Sequence, residues 1–198
     1  AGPANETVVH GDVTFIRNGD HTIIQASDGS IINYLSFDIL PWETVQFMQP
    51  NQLSRVLNRI TGPDPPVIQG TLLANGQVYI VNPAGVYFTG SSVVDVGGIY
   101  AAAGSISNSR FLSGIDKFTG LDGAVINEGT IEGDRVHLVG GHVANHGLIR
   151  SNKGVITMLA GDSVYIKEHG ERISVKVDGK WITDRNRPYG GTTGPDMT

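Results

Sequence analysis

Six histidines and a thin scatter of carboxylates are the side chains here that could do chemistry, and spacing decides how much. His142 and His146 stand four apart, an interval that brings two imidazoles to one metal ion on a helix. Gly140, Gly141 and Gly147 disfavour a helix there, and on a strand the same interval separates the two by about 13 Å. His137 would have to reach in from a neighbouring segment. Glu128, Glu132 and Asp134 form the acidic group best placed for sugar chemistry, since glycoside hydrolysis works between two carboxylates roughly 5–9.5 Å apart. Only stacked segments would bring them together. Arg135 adjoins them, with Lys117 and Arg150 further off, a poor supply of base for a lyase. Cysteine is absent, which excludes disulfides, thiol catalysis and thiolate metal centres. No Gly-x-Ser-x-Gly elbow, P-loop or dinucleotide fingerprint occurs. The expectation is no catalytic set, no metal and no cofactor.

The elements that would carry these groups are short strands. Val13–Ile16, Thr22–Gln25, Ile31–Tyr34, Val78–Val81, Gly85–Phe88, Val136–Val139, Val155–Leu159 and Val164–Lys167 are rich in β-branched and apolar residues and are separated by Gly-rich punctuation. No long helical stripes lie between them, so the fold is all-β rather than βαβ. The second half repeats. Asn108, Asn127 and Asn145 each stand two residues after an apolar one (Ile106, Val125 and Val143), with Ser or Gly one or two residues on, at intervals of 19 and 18 residues, and Val136–Gly141 resembles Ile156–Gly161 at an offset of 20. A period near twenty with Gly/Asn corners suits coils of a parallel β-helix, each burying its apolar face only against its neighbours. Asn108, Asn127 and Asn145 are then expected to stack as an internal structural ladder. Ile126 is expected in the interior, where Asp would destabilise a coil.

The chain has 198 residues, 27 of them Gly, with 39% hydrophobic residues and a formal charge of −5. That length suits one domain with a real core. The charge argues against nucleic acid and anionic membranes as partners, and no apolar run approaches the ~18 residues of a membrane span, so no stable membrane insertion is expected. We expect a single unit over 1–183, with 8–40 as an N-terminal cap closing the open sheet edge. Ile173–Val177 and Trp181–Ile182 are expected to pair as a terminal hairpin, and 184–198 to form a flexible tail. Residues 51–60 are ambiguous: Leu53, Val56, Leu57 and Ile60 have helical spacing with Asn51 as N-cap, yet Ser54–Ile60 also reads as a strand.

The densest turn signals lie between Gly70 and Phe88. Asn75-Gly76 predicts a tight turn between two apolar runs. Asn82-Pro83-Ala84-Gly85 predicts a second turn, with Asn at the first position, Pro fixing φ at the second and Gly at the fourth.

Taken together, Leu57-Asn58-Arg59-Ile60-Thr61-Gly62, Ile68-Gln69-Gly70-Thr71-Leu72, Ala74-Asn75-Gly76-Gln77-Val78 and Val81-Asn82-Pro83-Ala84-Gly85-Val86 resemble the N-terminal two-partner-secretion domain of filamentous-haemagglutinin-like exoproteins, the haemagglutination-activity domain. Ser36–Ile39, Val45–Asn51, Val94–Ile99, Asn127–Ile131 and Leu159–Val164 extend the similarity over most of the chain. The family pattern carries a second Asn where this chain has Ala84, which removes one side-chain amide from the turn.

The resemblance implies a right-handed parallel β-helix with an N-terminal β cap and a small extra-helical hairpin, and it favours a strand at 51–60. It implies a secretion-signal domain of a large exported adhesin, reaching the cell surface through the periplasm. The implied partner is a cognate outer-membrane pore transporter, bound through its periplasmic POTRA domains, with the domain itself a monomer that nucleates β-helix folding outside. Asn51, Asn58, Arg59, Asn75, Gly76, Asn82, Pro83 and Gly85 are the implied recognition or motif residues. Lack of cysteine leaves no thiol to lock a chain folded before it crosses a pore, and the long-range pairing of parallel coils makes folding slow. Docking a coil outside buries apolar area at about 25 cal/mol per Å², enough to bias motion outward. Two other classes compete. A carbohydrate-binding adhesin module would align Tyr87, Phe88 and Tyr100 on one outer face, and a β-helix polysaccharide lyase or hydrolase would need a carboxylate groove.

Overall fold

The computed structural model describes residues 2–169 and 172–182; the tail expected at 184–198 lies outside them. Three antiparallel strands open the chain: β1 (Gly2–Ala4), β2 (Thr7–His10) and β3 (Val13–Asn18). The path then winds into a solenoid. The first coil is β4 (His21–Ala26), β5 (Ser30–Tyr34) and β6 (Ser36–Asp38). The second is β7 (Thr44–Met48), β8 (Arg55–Ile60) and β9 (Val67–Ile68). In the third coil β10 (Thr71–Val81) rounds one corner without a break, followed by β11 (Gly85–Phe88). The fourth begins with β12 (Val93–Ala102), detours through α1 (Asn108–Leu112) and β13 (Asp116–Thr119), and returns at β14 (Ala124–Asn127). The fifth is β15 (Thr130–Glu132), β16 (Arg135–Gly140) and β17 (His142–Asn145); the sixth is β18 (Leu148–Arg150) and β19 (Val155–Ala160). The chain then leaves the solenoid as β20 (Ser163–His169), β21 (Arg172–Val177) and β22 (Lys180–Ile182).

Rungs pair in parallel from coil to coil, giving a β-solenoid of about six turns. Thr130 lies opposite Leu148 and Val136 opposite Ile156, the offsets of 18 and 20 that the repeat predicts. One column of apolar side chains fills the interior: Ile24, Phe47, Leu72, Val94 and Ile131 from one wall, and Ile32, Val56, Ile80, Ile99 and Leu138 from the next. Val125 is the inward residue of β14, while Ile126 faces outward half-buried, because strand alternation places neighbours on opposite faces. Residues 51–60 resolve as a turn followed by strand β8; the helical spacing is incidental to a strand buried on both faces.

The N-terminal end is sealed. β3 pairs antiparallel with β4, β2 with β5, and β1 with β6. Antiparallel closure therefore occupies residues 2–18, whereas 21–39, inside the stretch expected to be cap, already forms the first coil and pairs in parallel with the second. At the other end β17, β18 and β19 are terminal in their sheets among the described residues, and Leu148, Ile156 and Met158 are exposed.

The extra-helical element is a four-stranded antiparallel sheet in the order β13-β20-β21-β22, with the expected pairing of 173–177 and 181–182 as its outer hairpin. With α1 it covers the outer face of the wall built from β5, β8, β10, β12 and β16. A second apolar layer, including Leu57, Tyr79, Tyr100, Phe111, Phe118 and Ile166, fills the seam. Among the described residues no helix is long and apolar enough to cross a membrane.

Candidate functional site

The sequence motifs converge on a corner where the second and third coils turn between walls. Asn82 is fully buried there. Its Nδ2 donates to the carbonyls of Ile60 (3.2 Å) and Gly62 (3.1 Å) in the coil below. Its Oδ1 accepts from the N–H groups of Ala84 (2.8 Å) and Gly85 (3.2 Å), and Gly85 N–H also reaches the Asn82 carbonyl at 3.2 Å. The expected Asn-Pro-Ala-Gly turn is thus closed by its own first side chain and tied to the preceding coil. Gly85 has φ +137°, and a Cβ there would sit 2.4 Å from the Ala124 carbonyl oxygen of the next coil, so only Gly fits.

Above this scaffold lies a mainly apolar groove of about 430 Å³, walled by Arg59, Ile60, Thr61, Pro63, Pro83 and Ala84. It shares Gly62 and Pro63 with a second groove of about 270 Å³ along Leu35 and Pro65-Pro66. Arg59 is half-buried, and burial pulls its guanidinium below the ordinary value. It donates to Asn33 Oδ1 (3.2 Å), the Ile106 carbonyl (2.8 Å) and Asn108 Oδ1 (2.8 Å), pinning the start of α1 to the solenoid wall. Asn58 points the other way, into the interior column, where its Nδ2 reaches the Tyr79 carbonyl (3.1 Å) and its Oδ1 has no hydrogen-bond partner.

The remaining motif residues form a separate corner. Asn75 and Gln49 bond twice, Gln49 N–H to Asn75 Oδ1 (2.7 Å) and Asn75 Nδ2 to the Gln49 carbonyl (2.6 Å). Asn75-Gly76 is therefore not a tight turn between two strands: both residues lie within β10, at an irregularity in its register where the strand rounds the corner. A Cβ on Gly76 would meet the Gln49 side chain at 2.6 Å. Asn51 caps its own turn, with Oδ1 accepting the Leu53 N–H at 2.9 Å. Gln49 Nε2 donates to Ser54 and Gln77 carbonyls (2.7 and 3.3 Å). Gln49 lies inside the Val45–Asn51 similarity, but its role does not show in the sequence because it acts through a neighbouring coil.

Asn127 and Asn145 stack on adjacent coils, Nδ2 to Oδ1 at 2.7 Å. Asn108 does not join them. It begins α1 and bonds Arg59, having matched the interval through the detour's length rather than through coil register. The acidic residues are occupied individually: Glu132 by Arg150 at 2.8 Å, Asp134 by Gln52 at 2.8 Å, and Glu128 by the Tyr87 hydroxyl. The bond to Glu128, then partial burial and the carboxylate's charge, push the Tyr87 hydroxyl pKa up. Phe88 and Tyr100 are buried, so the row of Tyr87, Phe88 and Tyr100 expected of a sugar-binding face does not exist. Among the described residues no three His or acidic side chains are grouped to hold a metal ion.

A capped solenoid with an extra-helical sheet and motif residues knotted into its corners defines a secretion-domain architecture, and the chain belongs to the TPS (two-partner secretion) secretion domain family, which matches residues 2–187. Such domains belong to exported proteins that cross the periplasm and outer membrane with a partner transporter. The fold is similar to the crystal structure of the HMW1 secretion domain from Haemophilus influenzae, with 33% identity and a TM-score of 0.83 over 89% of this chain and 49% of that one. Two heme/hemopexin-binding proteins of Haemophilus influenzae are similar in sequence: 34% identical over 89% of this chain, and 36% over 64%. The aligned region spans 21% and 14% of those relatives.

Proposed function

We propose that this domain is the secretion signal of a large exported adhesin-like protein, recognised by the periplasmic POTRA domains of a cognate outer-membrane pore, and that it nucleates β-helix folding at the cell surface. It works as a monomer, without catalysis, nucleic acid or stable membrane insertion. The observation that carries this reading is the inequality of the two ends. The first coil is closed by antiparallel β1, β2 and β3, whereas the edges of β17, β18 and β19 end their sheets among the described residues with apolar side chains exposed. A closed start fixes register, and an open edge is a template on which further coils add one at a time, each burying apolar area. The absence of cysteine leaves the chain free to thread before it folds.

Within this reading the motif residues divide by place. Arg59 and Pro83, on the walls of the corner groove, are the contacts offered to the transporter, with Asn58, Asn82 and Gly85 buried behind them, while Asn51, Asn75 and Gly76 shape the separate corner, where Asn51 and Asn75 are exposed. The test is capture of this domain by the isolated periplasmic domains of the transporter encoded beside it, paired with secretion of a passenger fused downstream. We expect Ile131→Asp, which opens the interior column in the fifth coil, away from the corner groove, to abolish surface folding while leaving periplasmic capture intact. Absence of capture, or secretion unaffected by Ile131→Asp, overturns the reading.

A further inference from the structure

The outward face of the extra-helical sheet carries a row of charged and aromatic side chains. Phe118, Val164 and Ile166 are buried against the solenoid, so their strand neighbours Lys117 and Tyr165 point away from it. Lys117 is in register with Tyr165, Tyr165 with Lys176, and Lys176 with Trp181. Cation and aromatic ring thus alternate straight across four strands. Tyr165 and Trp181 lean together over the strand between them, ring centroids 6.0 Å apart and tilted 54°, with Lys176 Nζ 5.7 Å from the Trp181 ring. Lys117, Tyr165 and Lys176 line a cavity of about 250 Å³. Trp181 is 50% exposed. Asp178, in the adjoining turn, has Oδ1 engaged by the Ser163 N–H at 2.8 Å. On a chain of net charge −5 this face is a basic, aromatic exception.

We propose that this face binds an acidic polysaccharide with a carboxylate on every second sugar. Aromatic rings present flat apolar faces to the C–H surface of a pyranose, and ammonium groups beside them select a charged chain over a neutral one. Lys117 and Lys176 stand two strands apart, about 9.6 Å at the usual inter-strand spacing, which suits a charge on alternate sugars. Phosphates along a DNA strand recur about every 3.4 Å of axis, too densely for this row.

The test is titration of the domain with a hyaluronan octasaccharide, set against a neutral cello-oligosaccharide, polyglutamate and oligo-dT of matched length. The expected result is binding of the hyaluronan at least tenfold tighter than any of the other three. Trp181→Ala and Tyr165→Ala each weaken it tenfold or more, and Lys176→Met about fivefold, with unchanged denaturation midpoints. Trp181→Phe, which keeps a ring, stays within about threefold, and Lys153→Met, on the solenoid, has no effect. No hyaluronan binding, equal binding of polyglutamate, tighter binding of oligo-dT, or full binding by the two Ala variants each overturns the proposal.

Discussion

The Tyr79 hydroxyl donates to the Asp116 carboxylate at 2.9 Å across the seam between solenoid and extra-helical sheet, both groups buried. Tyr79 belongs to β10 and also stacks on Tyr100, centroids 4.1 Å apart and planes within 3°, while Phe111 of α1 meets its edge at 5.1 Å. One side chain therefore ties the third coil to the detour of the fourth. Burial first, then the neighbouring Tyr100 and Asp116, hold its hydroxyl protonated well above the ordinary range. Tyr79→Phe keeps the stack and removes the bond to a charged acceptor, which costs about 1.5–3 kcal/mol. We expect a lowered urea midpoint with faster hydrogen exchange in β13 and α1, and little change in β4 or β7.

Asn82 serves the corner in both directions, so its two halves can be separated. Asn82→Asp keeps an oxygen for the Ala84 and Gly85 N–H groups but sets a carboxylate against the Ile60 and Gly62 carbonyls. Burying an acceptor among acceptors costs about 1–3 kcal/mol, more if the group stays charged. The expected outcome in chemical denaturation is that Asn82→Asp loses at least as much stability as Asn82→Ala. Equal stability of Asn82→Asp and wild type would show that the two coils are not joined through this side chain.

The asparagine ladder predicts a gradient. Asn127 is fully buried, bonding Asn145 and the Gly129 carbonyl (3.3 Å) while accepting the Gly129 N–H (3.2 Å). Asn145, at the solenoid's last complete turn, is exposed and reaches the Gly147 carbonyl at 3.4 Å. Asn127→Ala is expected to cost about 2 kcal/mol and Asn145→Ala about 0.5–1 kcal/mol. Thermal melts of the two variants side by side check the order.

Local signals were legible where coil and strand coincide. Gly85–Phe88 is a strand with those bounds, and the intervals of 18 and 20 residues are real rung offsets. What escaped depends on contacts made one coil away. Asn75-Gly76 bends a hairpin or a solenoid corner with the same backbone freedom, and only pairing of β10 with β7, β8 and β12 distinguishes the two. Asn108 kept the repeat's interval while sitting in a detour. The stretch 21–39 lacks the repeat yet forms a coil, because parallel pairing there is enforced by β7 and β8 rather than by its own periodicity. The seam under β13 was equally hidden, since Asp116–Thr119 has no local strand signature.

Acid should loosen the sealed end first. Burial acts to raise the Glu43 carboxyl, but the hydrogen bonds it accepts, among them the N–H groups of Leu40 (2.8 Å) and Gly2 (3.0 Å), bring it below its ordinary 4.5. A depressed carboxylate contributes stability that is present above its unfolded pKa and lost as pH falls through the lower folded value. We expect hydrogen-exchange protection of β1, measured relative to the intrinsic amide rate, to fall below about pH 4.5 in wild type. Glu43→Gln should show low protection already at neutral pH and little further change on acidification.

Asn58 makes the opposite kind of prediction, a gain. It occupies an interior position between Ile32 and Ile80 in adjacent coils, entirely buried, with Oδ1 unbonded. An unbonded buried acceptor costs about 1–3 kcal/mol, and an apolar side chain of similar size would continue the column without that loss. Asn58→Val is therefore expected to raise the denaturation midpoint, by about 1 kcal/mol once its smaller volume is set against the relief. If threading through the pore requires an unfolded chain, that gain has a consequence in cells: the variant should fold earlier and be secreted more slowly. Pulse-chase export of wild type and Asn58→Val, alongside their midpoints, measures both. A more stable variant exported at the wild-type rate would mean that the interior asparagine does not serve to delay folding.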